Sequence, residues 1–355
     1  MGLRKEVRRK MSLHSEILEQ PACLERLFST HRKNVEQIAA VIQSRDIQFA
    51  FLAARGTSDN AGRYANYLWG AMNSLPLALA TPSLFTYYQQ PPKLKNALVV
   101  GISQSGQSPD IVSVVREGKR QGNLTLAITN EPDSPLAQAA DFVLDTQAGP
   151  ELAVAATKTY TTELMAIAML SAALAGDGAR WGELEQVAGW VSRALEQDKT
   201  IEQLAQRYRY MQQCVVLGRG YNYATAFEWA LKLKELTYVE AEPYSSADFQ
   251  HGPVAMVARG FPVMAVVPRG KVFDSMMTLL KHLQNDLLAE LVVISNASEV
   301  LSMVQVPFTI PVDVPEWLSP LIGIVPAQLF AYHLTLAKGF DVDKPRSISK
   351  ITETR

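Results

Sequence analysis

The sequence predicts an α/β protein built as two tandem lobes, each a parallel β-sheet flanked by helices. Three observations carry this. Short apolar runs such as "NALVVGI" and "LTLAIT" alternate with helical patterns, as in a parallel sheet covered on both faces. The alternation then recurs: "CVVLGRG" parallels "FAFLAARG", "FPVMAVVPRG" parallels "NALVVGISQSG", and "LVVISN" parallels "LTLAITN". The chain has 355 residues, 48% hydrophobic and 19% charged, which suits two cores better than one and argues against disorder. The expected arrangement is doubly wound and flavodoxin-like, in three α/β/α layers.

The elements follow in order. Residues 1–45 form an N-terminal helical segment, with a break at Pro21. The first lobe covers 46–197. Its strands are "IQFAFLAARGTS", which ends in a Gly turn, then "NALVVGI", "LTLAIT" and the short "DFVLDT". "TELMAIAMLSAALAG" is too short to span a bilayer and reads as a buried helix. A helical linker lies near Asp198 to Tyr210. The second lobe covers 205–340, and 341–355 is a polar tail. A duplication of this long period is not a solenoid.

Charge excludes some classes. Lys plus Arg total 34 against 35 Asp plus Glu, a net charge of -1, whereas a nucleic-acid binder needs a basic face. "LRKEVRRK" alone is clearly basic and reads as a solvated helix start. Cys23 and Cys214 have neither metal spacing nor a disulfide framework, which points to a reducing compartment. The first 30 residues lack the apolar core of a signal peptide. The expected location is the cytoplasm, with no membrane and no nucleic-acid partner. His14, His31, His251, His282 and His333 give no metal pair by spacing, so no metal and no cofactor is expected.

The stretch "SQSGQSPD", Ser103 to Asp110, belongs to the first lobe alone; the second carries "PRGKVFDS". In open parallel sheets, ligands sit at the carboxyl ends of the strands, beside helix N-termini. Ser108 can cap the following helix and Pro109 suits its first position. Free backbone N–H groups and the helix dipole there favour an anion. Ser103, Gln104, Ser105 and Ser108 can add donors, so the loop suits a phosphoryl group without any Lys or Arg. It has neither the P-loop spacing nor G-x-G-x-x-G, which disfavours a nucleotide. "RGTSDN" ends the first strand with a second small-residue loop, where Gly56, Thr57 and Ser58 would face the same crevice. Plain turns capping helices remain the alternative for both loops.

"EWALKLKELTYVEAE" reads as a largely buried helix through Ala230, Leu231, Leu233, Leu236 and Val239. Lys232 and Glu235, three apart, share a face, and Glu228 lies four before Lys232. A carboxylate beside a lysine there can be a positioned proton shuttle; a surface ion pair is the alternative. His251 stands where Gly and Pro follow in a tight turn.

"RGTS", "SQSGQS", "AVAATKTYTTEL", "LGRG", "EWALKLKELTYVEAE", "HGP" and "DVDKPRSISK", in that order, resemble the sugar isomerase (SIS) domain family over nearly the whole chain. The likeness is strongest to the isomerase half of glutamine–fructose-6-phosphate transaminases and to glucosamine-6-phosphate deaminases. It implies an enzyme acting on a sugar phosphate, in which Glu235 transfers a proton, Lys232 belongs to the same site, and His251 assists ring opening from the neighbouring subunit of a homodimer. It also implies that the tail folds over the sugar site, where Lys350 forms a Schiff base with the keto sugar. Glu151 and Val154 would line that site. Asp59 replaces a tyrosine of the transaminases, and Ala247, Asp248, Phe249 and Gln250 replace Gly-Glu-Leu-Lys; these changes bear on substrate and direction. The sequence starts Met1-Gly2 and enters the isomerase-like region directly, so the expectation is a chain that does not draw ammonia from glutamine by itself.

The leading expectation is conversion of glucosamine 6-phosphate to fructose 6-phosphate and ammonia. Alternatives are a transaminase direction using ammonia or a separate glutaminase subunit, a fructosamine-6-phosphate deglycase, and a non-catalytic sugar-phosphate sensor. A sensor that regulates transcription needs a DNA-binding module, and the residues before the first strand contain no convincing helix-turn-helix.

Overall fold

The computed structural model describes residues 13–350 and resolves into two compact units. Within the described residues, one is made of Ala22–Glu151, Lys158–Gln186 and residues 349–350; the other of residues 13–21, Leu152–Thr157 and Val187–Ile348.

The first of these holds strands β1 (Phe49–Ala53), β2 (Leu77–Leu79), β3 (Ala97–Ile102), β4 (Leu124–Thr129) and β5 (Phe142–Asp145). They form one parallel sheet in the order β2-β1-β3-β4-β5. Every residue of β3 and β4 is buried, as expected of central strands covered on both faces. Phe51, Val99, Ala127, Ile111, Val115 and Leu136 meet in the core on one side. Helix Lys158–Ala175, the apolar stretch noted above, is buried along almost its whole length and packs against helix Gly56–Asn73. Trp69 Nε1 there donates to the Ile167 carbonyl at 3.4 Å.

The other unit holds β6 (Gln213–Gly218), β7 (Glu240–Ser245), β8 (Pro262–Val266), β9 (Glu290–Ser295) and β10 (Val306–Thr309), again all parallel. Its order, β7-β6-β8-β9-β10, repeats that of the first sheet. The repeat and the α/β class read from the sequence are therefore present in the topology itself. Helix Ser319–Ala337 runs through this unit's core, where Phe330 touches the rings of Tyr208, Trp229 and Phe308 at 5.6–6.1 Å between centroids. Glu316–Ala337 is the one stretch among the described residues long and apolar enough to cross a membrane, but 83% of its apolar window is buried within the protein, as in a core helix.

Two expectations need correction. β2, β7 and β10 escaped the sequence reading: all three are edge strands, β2 only three residues long just after Pro76, and β7 and β10 interrupted by polar residues or proline. "EWALKLKELTYVEAE" is not one helix. An α-helix ends at Lys232, Leu233–Thr237 continue as a π-helical turn, Tyr238 turns left-handed at φ 56°, and Glu240 onward is β7. Val239 is buried outside the helix. The i,i+3 pairing of Lys232 with Glu235 survives across the change of winding.

Candidate active site

In the order β2-β1-β3-β4-β5, the connections leave in opposite directions between β1 and β3. Ligands of such sheets bind beyond the strand ends at that switch point. The loops that follow β1 and β3 are the two small-residue loops singled out in the sequence.

After β3, Gly106 turns at φ 59°. A Cβ there would lie 2.0 Å from Ser134 Oγ, so only glycine lets the loop settle onto its support. Backbone bonds brace the loop from below: Asn130 N donates to the Gln104 carbonyl at 3.1 Å and Leu136 N to that of Gly106 at 3.1 Å. Ser103 is buried and its Oγ accepts from Gly106 N at 3.2 Å; Ser105 Oγ accepts from Gln107 N at 3.3 Å. Ser108 occupies the N-cap of helix Pro109–Arg120, with Pro109 at its start, but its side chain makes no cap bond. Among the described residues, the N–H groups of Gln104, Ser105 and Ser108 find no acceptor. These donors and the end of the helix dipole make a cradle for an anion.

After β1, Gly56 opens helix Gly56–Asn73 at φ 54°, with Thr57 half-buried beside it. Ser58 is turned inward: its Oγ donates to the buried Glu163 carboxylate at 2.8 Å, so it anchors the loop from beneath. A brace that the sequence reading missed joins the two loops. Arg55 Nε donates at 2.8 Å to Asp110 Oδ2, whose side chain is fully buried in the first turn after the serine loop. Asp59 lies one turn on. Burial pushes its carboxyl above the usual range, against the opposing pull of Arg63 and Arg55.

Glu151 and Lys350 lie in the same unit. The buried Glu151 carboxylate accepts from Thr159 N and Thr159 Oγ1, and from Lys350 Nζ at 2.6 Å. The tail is anchored just before this point, in the other unit, where Arg346 N donates to the Tyr238 hydroxyl at 2.9 Å and its guanidinium stacks over the Tyr238 and Phe340 rings.

Lys232, Glu235, His251 and Val154 belong to the unit of β6–β10. Lys232 Nζ sits 2.6 Å from Glu235 Oε2 and 3.3 Å from Glu228 Oε1. The lysine and Glu228 side chains are 1% and 0% exposed, whereas that of Glu235 is 25% exposed, so this is not a surface ion pair. Burial alone would lower the lysine's pKa; Glu228 and Glu235 more than offset it and the net direction is up. Lys232 is a fixed cation that orients Glu235 and leaves one side of that carboxylate open. π-turns of this kind recur at functional sites. His251 is exposed at the end of a short helix, before Gly252 at φ 147°, and its ring bonds to no described residue. Val154 lies in Leu152–Thr157, a segment pinned at both ends. The buried Glu16 carboxylate accepts from Leu152 N and Ala153 N, and Gln20 holds Gln328, which donates to the Thr157 carbonyl.

The second lobe's equivalent loop is occupied from within. Lys271 N, after β8, donates to Glu316 Oε2 at 2.9 Å, and a Cβ on Gly270 would collide with that carboxylate. The chain's own anion fills the position that stays open in the first lobe.

The chain matches the SIS domain model twice, over residues 45–173 and 209–338. It is 35% identical over 344 residues to the glutamine–fructose-6-phosphate aminotransferase [isomerizing] of Thermococcus kodakarensis, covering 94% of this chain and 56% of that protein. The Pectobacterium atrosepticum enzyme of the same name is 33% identical over 95% of this chain and 58% of its own length. The chain thus spans about half the length of the curated relatives it matches. Among solved structures, the C-terminal domain of glucosamine-fructose-6-phosphate aminotransferase from Francisella tularensis superposes with a TM-score of 0.86 at 29% identity, covering 95% of this chain and 98% of that one. The glucosamine-6-phosphate deaminase of Thermotoga maritima superposes at 0.78 over 96% and 99%; its 22% identity speaks for the fold alone.

Proposed function

The chain belongs to the SIS domain family, and on that premise we propose that it is an aldose–ketose isomerase of amino-sugar phosphates, converting glucosamine 6-phosphate to fructose 6-phosphate and ammonia. The observation that carries this reading is the buried Glu228–Lys232–Glu235 cluster, with its one accessible carboxylate on a π-turn.

Gln104, Ser105 and Ser108 hold the phosphate with their N–H groups and hydroxyls, and Ser103, Gly56, Thr57 and Ser58 shape the cradle. His251, supplied by a second copy in a homodimer, opens the sugar ring; its exposed and unbonded ring supports that role. Glu235 takes the C2 proton of the open aldehyde and returns it to C1, while a proton passes from the C2 amine to O1, which leaves a C1 hydroxyl and an imine at C2. The Lys232 cation steadies the charge that develops on the substrate oxygen. Lys350 gives up a proton to Glu151 and attacks the C2 imine. Ammonia leaves, a Schiff base to Lys350 remains, and water hydrolyses it to fructose 6-phosphate. Val154 and Glu151 line the sugar. No step here needs a cofactor. A cytoplasmic setting, where sugar phosphates are made and used, goes with this reading.

The test is incubation of the chain with glucosamine 6-phosphate, without glutamine or added metal, assaying ammonia and fructose 6-phosphate together. Both should appear in equal amounts. Interconversion of glucose 6-phosphate and fructose 6-phosphate without ammonia would replace the deaminase with a plain isomerase. The same residues run the reverse, ammonia-consuming direction, and the relatives named aminotransferase favour testing it alongside.

A further inference from the structure

Three side chains far apart in sequence meet outside the residues assigned above. His14 on helix Leu13–Leu18, Asp198 at the start of helix Asp198–Ala205, and His333 on core helix Ser319–Ala337 place their ligand atoms within 4.8 Å of one another, all inside one unit. Asp198 bridges the two rings: Oδ2 lies 2.8 Å from His14 Nε2, and Oδ1 lies 2.6 Å from His333 Nε2. His14 lies flat on the Tyr332 ring at 4.8 Å and 14°, so its orientation is fixed by packing. His333 is buried, whereas His14 and Asp198 are 28% and 25% exposed, which leaves a path from solvent. The surroundings are acidic. Asp343, Asp198 and Glu202 all act on the Tyr332 hydroxyl, and Asp343 Oδ1 also accepts from Leu13 N at 3.2 Å.

We propose that His14, Asp198 and His333 form a binding site for one divalent first-row cation of the zinc class, which clasps the first described helix to the core helix. Two imidazole nitrogens and one carboxylate suit zinc, with a water completing four-fold coordination from the open side. Tetrahedral ligands at about 2.0–2.2 Å stand about 3.3 Å apart. The 2.6 and 2.8 Å contacts to Asp198 must therefore lengthen by about half an ångström, and the three ligand atoms, now within 4.8 Å of one another, must gather around the ion. The cation acts on no bond of the substrate. Its effect is on position: His14 and Glu16 share one short helix, and Glu16 holds the backbone of Leu152 and Ala153 next to Val154.

The experiment strips the full chain with a chelator, removes the chelator, and titrates with zinc by calorimetry and with cobalt by visible absorption. One equivalent should bind per chain, cobalt should give the intense bands of a four-coordinate nitrogen–oxygen site, and zinc should raise the melting temperature. His14→Ala and Asp198→Asn should each weaken binding at least tenfold and abolish the thermal shift. His282→Ala, which removes the surface His282–Asp286 pair, should change neither. His14 is partly exposed, so its variant should fold normally, as circular dichroism will verify, even if a His333 variant does not. Absence of saturable zinc binding up to about 100 micromolar, or one-equivalent binding that survives in both His14→Ala and Asp198→Asn, overturns the proposal. Both readouts are independent of sugar turnover, so they stand or fall separately from the reading of the active site.

Discussion

Lys350 Nζ lies 2.6 Å from Glu151 Oε2, joining the end of the described chain to a carboxylate buried almost 200 residues earlier. Thr159 already gives Glu151 two hydrogen bonds, so the carboxylate is fixed before the tail arrives. The lysine therefore docks on a preformed acceptor, which makes the tail's position reproducible at modest entropic cost.

Glu235→Gln tests the proton-transfer role. The amide keeps the shape and the hydrogen bond to Lys232 but not the basicity. A positioned base contributes roughly 10²–10⁴ in rate, so kcat should fall by that order. Binding of an open-chain sugar-phosphate analogue should change less than tenfold. A kcat within threefold of the parent removes Glu235 from the mechanism.

The serine loop predicts a ligand-selective loss. Ser105→Ala combined with Ser108→Ala should weaken sugar-phosphate binding by about 1.5–3 kcal/mol for each lost bond to the charged group. Binding of the sugar without phosphate should barely move. Equal losses for both ligands would show that the loop does not hold the phosphate.

Lys232→Met should destabilise by about 3–5 kcal/mol, because it strands the Glu228 carboxylate in the interior. Adding Glu228→Gln should restore part of the loss in chemical denaturation. The pH dependence has a definite sign. The lysine's folded-state pKa is raised above its ordinary 10.5, so its contribution is complete below that value and is lost as pH rises through the folded pKa. The gap between parent and single variant should stay constant near neutrality on the lysine's account and narrow only above about pH 10.5. A gap that narrows between pH 7 and 9 would contradict the assigned charge.

Neither cysteine should react in the native protein. Burial pushes the Cys214 thiol up to about 12, and Cys23 is buried and donates to the Ala148 carbonyl. A thiol reagent at pH 8 should label both only on unfolding. Fast labelling of Cys214 would mean that β6 opens locally.

The central strands were legible because they are long and largely apolar; β2 was not, because it is only three residues long, and β7 and β10 were not, because polar residues and proline break their pattern. The pairing of Lys232 with Glu235 was legible from spacing, which holds in an α-helix and in the π-turn that replaces it here. The π-turn left no trace in the apolar pattern. Long-range partners were invisible in principle. Arg55 with Asp110, Ser58 with Glu163, and Glu16 with the backbone of Leu152 and Ala153 depend on which loops the topology brings together. Glu316 was passed over for the same reason. Comparing "PRGKVFDS" with "SQSGQSPD" showed that the second loop differs, but not that a carboxylate 45 residues further on closes it.

The interleaving of the two units has a consequence for synthesis on the ribosome. Residues 22–151 and 158–186 complete nearly all of the unit carrying β1–β5, so it can fold while the rest of the chain is still being made. Residues 13–21 and the segment Leu152–Thr157 belong to the other unit and must wait for 187–348 to complete it. Helix Leu13–Leu18 and the Val154 segment thus emerge early and can meet each other, but their partners in 187–348 come last. Slowing translation after residue 186 should prolong a state in which one sheet resists proteolysis while cleavage near residues 13–21 and 152–157 remains fast.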